Sequence, residues 1–535
     1  MTRNRLGVSF TFIVVGLLAA FGASFFVGCG GGGAGGPGGV GDEPTDVQQA
    51  KNMVNFVRDV AASSRKLGLD ATEVFEAVVA AQQQIDRGFN QETYLSSHVS
   101  HLFNVFVQLE GQPAGSYIYE AYSPTKGRLV RDFSPPPADG WSVRMRIEPV
   151  PVTLNISSQI RLERLVLTPL ATRYNVQAIG QSLDYRGTLE ITQNSGNRLF
   201  SFNLNITMRE SRLTSEVSFG GQGTARLAAD PNADEPAQVR ELRLTGNLQT
   251  PFGTSNVVNL ALTYDPDWND TNSLRRLTAE SVTLQEGVNR AEITNLNVQL
   301  KKLPSGVLAV QTASASRLLV QTGSLRRAEL SDVQTEWDDY PAGGANPTDT
   351  AIRRLSARMT MEARRGTYSG DVQVDWSNPQ PLSNWDRLGG SLDTLPEGTI
   401  GFSGQFQAQN ARPVVIESLV ARLEPTATPP AVRISSSFKR DQQTVSAEWE
   451  SRLTPQGDIG LSSLVANYSP SNLRLAVTVS GSRVTGSIVR LPEEERLADV
   501  GNARLLGLPD LGDTVVVRYR DNTFEALDSL WLGGE

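Results

Sequence analysis

From about Ser116 onward the chain alternates apolar and polar side chains with a period of two, and few architectures other than an antiparallel sheet accept that pattern. Phe202, Leu204, Ile206 and Met208 are apolar, while Asn203, Asn205 and Thr207 between them are polar. A strand written this way has one dry face and one wet face. The signature recurs at Val152-Leu154-Ile156, Val258-Leu260-Leu262-Tyr264, Leu355-Ala357-Met359-Met361, Val372-Val374-Trp376, Val432-Ile434-Ser436-Phe438, Leu473-Leu475-Val477-Val479 and Val515-Val517-Tyr519. Turn signals at Asn194-Ser195-Gly196, Gly220-Gly221-Gln222-Gly223 and Ser480-Gly481-Ser482 read as separators of successive runs. The expected fold is mostly β: a large antiparallel β-sheet assembly of meanders, as an extended or curved sheet or a sandwich, preceded by a short helical segment.

The helical segment is read from a change of period. Between Val47 and Leu109 apolar residues recur at three and four, as in Met53, Phe56, Val57 and Val60, and again in Val74, Phe75, Val78, Val79 and Ile85. Gly68 separates these two stretches, and Asp70 with Glu73 forms a capping box for the second. A third stretch, Thr93 to Leu109, carries Leu95, Val99, Leu102, Phe103 and Phe106. Such stripes must be buried against each other or against the sheet that follows.

The chain opens Met1-Thr2-Arg3-Asn4-Arg5, then runs apolar from Leu6 to Val27 and meets its single cysteine at Cys29. A cationic start, an apolar core and small residues at a cut are the parts of a secretory signal. The string Phe26-Val27-Gly28-Cys29 resembles the lipobox of bacterial lipoprotein precursors, with Phe26 where that pattern prefers Leu. The resemblance covers only the leader. It implies cleavage before Cys29, acylation of that residue with palmitate-type chains, and a place in the cell envelope. Gly30, rather than Asp, after Cys29 implies the outer membrane over the inner. An uncleaved span is the alternative, since about 20 apolar residues cross a bilayer; Gly7, Gly16 and Gly22 within the run weaken that helix. Either way the bulk of the chain lies outside the cytoplasm.

Residues 30–41 are almost entirely glycine, a flexible coil by composition. The expected organisation is therefore a signal peptide at 1–28, a tether at 29–46, a helical segment at 47–110, a β-rich region at 111–340 and a second at 341–535, continuous with the first or separate. Similar strand openings at Leu274-Arg275-Arg276-Leu277, Leu325-Arg326-Arg327-Ala328 and Ile352-Arg353-Arg354-Leu355 are unevenly spaced, so they define no solenoid or propeller.

Composition narrows the function. Loss of Arg3 and Arg5 with the leader takes the formal net charge from −8 to −10, which gives no general attraction to nucleic acid. With one cysteine no internal disulfide can form. An outer-membrane barrel would carry aromatic girdles, whereas aromatics are 7% of this chain and do not cluster at strand ends.

Motifs for chemistry are few. His98 and His101 share a helical face but find no third metal ligand nearby. Asp265 and Asp267 begin like a calcium loop, yet its twelfth position holds Arg276 instead of the bidentate Glu. No nucleophile elbow, phosphate loop or dinucleotide fingerprint appears. Trp268, Trp337, Tyr340 and Trp385 could stack on a ligand or plug the ends of the core. The expectation is a non-enzymatic, lipid-anchored envelope protein of structural or binding role, without catalytic residue, cofactor or metal, whose site residue is Cys29. Its partners would be membrane lipid through the anchor and an envelope protein, lipid or glycan. The alternatives are a carrier that cradles hydrophobic molecules on a curved sheet, and a carbohydrate-binding or carbohydrate-active protein, which needs two carboxylates in one cleft.

Overall fold

The alternating runs become paired strands in a computed structural model that describes residues 45–60, three positions between 108 and 113, and most of 115–527 apart from connecting segments. The chain divides into two compact units, one of residues 80–317 and one of residues 1–79 with 318–535. The fold is mostly β and antiparallel, with one short helix at the N-terminal side of the described chain.

In the 80–317 unit the strands are β1 Gly115–Ala121, β2 Gly127–Asp132, β3 Trp141–Ile147, β4 Ser158–Val166, β5 Ala171–Ile179, β6 Leu183–Asn194, β7 Leu199–Glu210, β8 Glu216–Leu227, β9 Val239–Thr250, β10 Gly253–Tyr264, β11 Leu274–Glu286 and β12 Asn289–Lys302. From β3 to β12 each strand pairs antiparallel with the next. β1 lies between β2, antiparallel, and β3, parallel. β13, Leu308–Thr322, contains the division between the units.

The second unit is itself a meander, of β14 Arg326–Tyr340, β15 Asp349–Glu362, β16 Gly366–Asn378, β17 Glu397–Ala408, β18 Val414–Glu424, β19 Ala431–Arg440, β20 Gln443–Leu453, β21 Ile459–Ser469, β22 Leu473–Ser480, β23 Arg483–Arg490, β24 Glu495–Asn502, β25 Val515–Tyr519 and β26 Phe524–Ala526. Every neighbouring pair from β14 to β26 is antiparallel. Among the described pairings none closes either run into a barrel.

The dry face is continuous because bulges correct its phase. In β18, Val414 and Ile416 are buried, then Leu419, Ala421 and Leu423; the register slips between Ile416 and Ser418, so one extra residue keeps both halves facing inward. Asn259, Asn295 and Asp332 sit mid-strand with φ of 50°, 51° and 53°. Asn and Asp tolerate this left-handed region better than other residues with a Cβ. The three positions lie 36 and 37 residues apart, one in every second strand, a regularity absent from the Arg-Arg strand openings. On the wet face of the second unit, Arg433 bridges Glu424 at 3.6 Å and Glu450 at 3.3 Å, and Arg354 meets Asp375 at 3.0 Å.

The Gly220-Gly221-Gln222-Gly223 run is no turn: it lies inside β8. The glycines serve close approach instead. A Cβ on Gly223 would stand 2.0 Å from the Arg243 carbonyl oxygen, and one on Gly246 would stand 2.7 Å from that of Gly220. Ser480-Gly481-Ser482 is a turn between β22 and β23, with Gly481 at φ 59°. Val152-Leu154-Ile156 lies outside the described residues.

The helix α1, residues 46–60, starts one residue before the expected point. Thr45 caps it, its Oγ1 accepting from the Gln48 amide at 3.3 Å, and Asp46 in the first turn complements the helix dipole. Its apolar stripe of Ala50, Met53, Val54, Phe56, Val57 and Val60 is buried. Phe56 meets Tyr468 edge-on at 6.4 Å and carries the Arg440 guanidinium at 4.5 Å from its ring. Arg440–Asp59 at 2.7 Å, Arg58–Glu525 at 3.3 Å and Lys51–Asp521 at 3.7 Å rim the contact, with Asp46 on Arg490.

Burial raises the phenol pKa of Tyr368, Tyr468 and Tyr519. Nearby carboxylates, Asp371 for Tyr368 and Glu525 for Tyr519, push the same way. Each phenol is therefore held neutral in the folded state above its ordinary value of about 10. The stabilisation is complete below that value and drains as pH climbs past it. Between about pH 9 and 11.5 the urea midpoint should fall steeply, and in Tyr368→Phe, whose hydroxyl has no hydrogen-bond partner among the described residues, it should fall less. An equal fall in both chains would exclude the phenol as a cause.

Candidate functional site: a polar trough on the outer face

The wet face of β7–β10 hollows into a shallow trough of about 530 Å³. Its shape follows from the glycines. Gly220 stands in the polar rows of this face without a side chain, while Gly221 and Gly246, paired directly with each other, alternate to the opposite face and offer only backbone to the floor. Around this floor, register sets the polar groups in rows. Asn203 pairs with Gln222 and Gln222 with Thr245; Gly220 pairs with Asn247 and Asn247 with Asn256. Asn203, Gln222, Asn247 and Asn256 are all exposed. Val257 and Val258 complete one side.

The bulge at Asn259 anchors that side. The Asn259 amide donates to Thr245 Oγ1 at 3.0 Å, and its side-chain nitrogen donates to Glu280. Thr245 is thereby fixed at the rim by the left-handed residue of the adjacent strand.

The lining holds four amides, a hydroxyl and exposed backbone, with no charged side chain. Each amide offers both donors and an acceptor. Such a surface matches a neutral polyhydroxylated ligand and offers little apolar bed for an acyl chain. Among the described residues, no group of three or more His, Cys, Asp or Glu side chains converges as metal ligands.

Cys29, His98, His101, Asp265 and Asp267 lie outside the described residues, as do Trp268 and Trp385. Trp337 belongs to the core: it is buried within β14 and its Nε1 donates to Thr335 Oγ1 at 2.7 Å. Tyr340 ends the same strand half-buried. The amides of the trough were not separable by sequence from any other wet strand face; the three glycines inside one strand were the available signal. Comparisons with protein-family models, curated proteins and solved structures gave no match.

Proposed function

We propose that the protein is a non-enzymatic lipoprotein of the cell envelope, held at the outer membrane through acylated Cys29, with a structural or binding role carried by its β body. The observation that carries this reading is the lone cysteine after Phe26-Val27-Gly28 at the end of an apolar leader, followed at once by glycines. What lies downstream suits a tethered body: α1 begins 17 positions after Cys29 and is held to the sheet by ion pairs at Asp46 and Arg58. A pull on the tether is thus taken up by a packed helix. The amide trough supports binding of a polar ligand more than carriage of lipid.

The decisive test is metabolic labelling with a radiolabelled or alkyne-tagged fatty acid. The wild-type precursor should shorten and take up label, and Cys29→Ser should do neither. Equal processing and membrane fractionation of the two would remove the lipoprotein reading.

A further inference from the structure

We propose that the turn carrying Leu505 and Leu511 is a second membrane contact, inserting into the interfacial layer of the bilayer that holds the anchor; this rests on the lipid-anchored reading. The turn joins β24 to β25 in the second unit. Leu505 is 56% exposed and Leu511 36%, high values for leucines in a turn so firmly built. The Arg504 amide donates to the Gly512 carbonyl at 3.2 Å, joining the two ends of the segment that bears both leucines. The Leu508 amide donates to Ala503 at 2.9 Å, and Arg518 Nη1 donates to the Leu506 carbonyl at 2.9 Å. Buried Asn502 ties the base to the neighbouring turn, accepting from the Val484 amide at 2.8 Å and donating to the Ser482 carbonyl at 3.1 Å. These bonds hold the segment in place before insertion, so its backbone has little freedom left to lose.

Charge orients the unit. Arg483 and Arg504, both exposed, suit lipid phosphates and outnumber the exposed carboxylate of Asp510 that precedes Leu511. The opposite end of β23 and β24 carries Glu493, Glu494 and Glu495, all exposed; Glu495 is paired with Arg520, and Glu493 and Glu494 are the charges an anionic bilayer would repel. The tether leaves from that acidic end, where Asp46 pairs with Arg490. β23 spans eight residues, so tip and tether exit are separated by about 23 Å along it. A glycine-rich coil of 17 residues has a root-mean-square reach of about 23 Å and a limit near 60 Å. The leash is thus long enough for the tip to turn down onto the surface that holds the acyl chains.

The acylated chain itself provides the test. With Cys29 acylated, Leu511→Cys adds the one free thiol, and Glu493→Cys does so at the acidic end. Each is labelled with an environment-sensitive dye and reconstituted in phosphatidylcholine–phosphatidylglycerol vesicles containing a nitroxide lipid. Quenching at position 511 should exceed that at 493 by about threefold or more, and Leu505→Asp should abolish the excess. Equal quenching at the two positions would overturn the proposal. So would shielding of the 511 dye in detergent that disappears on dilution, which would make the tip a contact between copies. Dye uptake by the wild-type chain would instead expose a free Cys29 and defeat the anchor reading on its own.

Discussion

Phe56→Ala should lower the unfolding free energy of the 318–535 unit by about 3–5 kcal/mol, the range for removing a fully buried phenylalanine ring. Phe56 is 0% exposed and is wedged between Tyr468 and the Arg440 guanidinium. The buried stripe of Ala50, Met53, Val54, Phe56, Val57 and Val60 is what packs α1 onto the unit. Losing the ring leaves a cavity under the helix and weakens every other contact along the stripe. The rim ion pairs do not replace it. Their side chains are 19–48% exposed where Arg440 meets Asp59, and 20–26% where Arg58 meets Glu525. Partly exposed pairs of this kind contribute about 0–1 kcal/mol each. Asp59→Asn should therefore shift the urea midpoint slightly and Phe56→Ala severely. Hydrogen exchange should rise first in β21, β25 and β26, whose Tyr468, Tyr519 and Glu525 meet α1. A small effect from Phe56→Ala together with a large one from Asp59→Asn would mean that charge, not burial, holds the helix.

How much of this was legible beforehand depends on where the information resides. Period-two alternation was readable because side chains declare it, and the runs at Phe202–Met208, Leu355–Met361 and Val432–Phe438 became β7, β15 and β19. The bulges were hidden because they are backbone events: Asn259 reads as an ordinary polar residue between Val258 and Leu260, in phase with the alternation. The left-handed backbone that recurs at Asn295 and Asp332 leaves no mark in the side-chain pattern either. The glycines of β8 were misread for a physical reason. Glycine usually breaks a strand, but it is also the residue that permits two backbones to approach, and only the partner strand β9 decides which. Trp337 in the core was foreseen as one of two outcomes, whereas a trough built by register among Asn203, Gln222, Asn247 and Asn256 could not be, since register is absent from composition. Cys29 is the reverse case. Its meaning lies in the leader around it, not in packing.

Two glycines of β17, three residues apart, separate close approach from mere tolerance. Gly404 pairs with Gly370 of β16, and a Cβ on Gly404 would stand 2.2 Å from the Ser369 carbonyl oxygen and 2.5 Å from the Gly370 Cα. Both obstacles are backbone and cannot swing aside. Gly401 in the same strand would place its Cβ 3.6 Å from the Gln373 carbonyl oxygen, an ordinary contact. Gly404→Ala must therefore push β16 and β17 apart, opening the ladder between Phe402 and Phe406, both buried. The expected loss is about 3 kcal/mol or more, comparable with overpacking a tight core. Gly401→Ala should be neutral or stabilise by up to about 1 kcal/mol, because alanine has less freedom to lose on folding. The pair is measured by urea unfolding of the full mature chain, with near-ultraviolet circular dichroism reporting the aromatic core around Tyr368, whose ring lies 4.5 Å from that of Phe402. Equal midpoints for the two variants would show that the strands are not held at the spacing the glycines impose, and the same reasoning would then fail for Gly223 against Arg243.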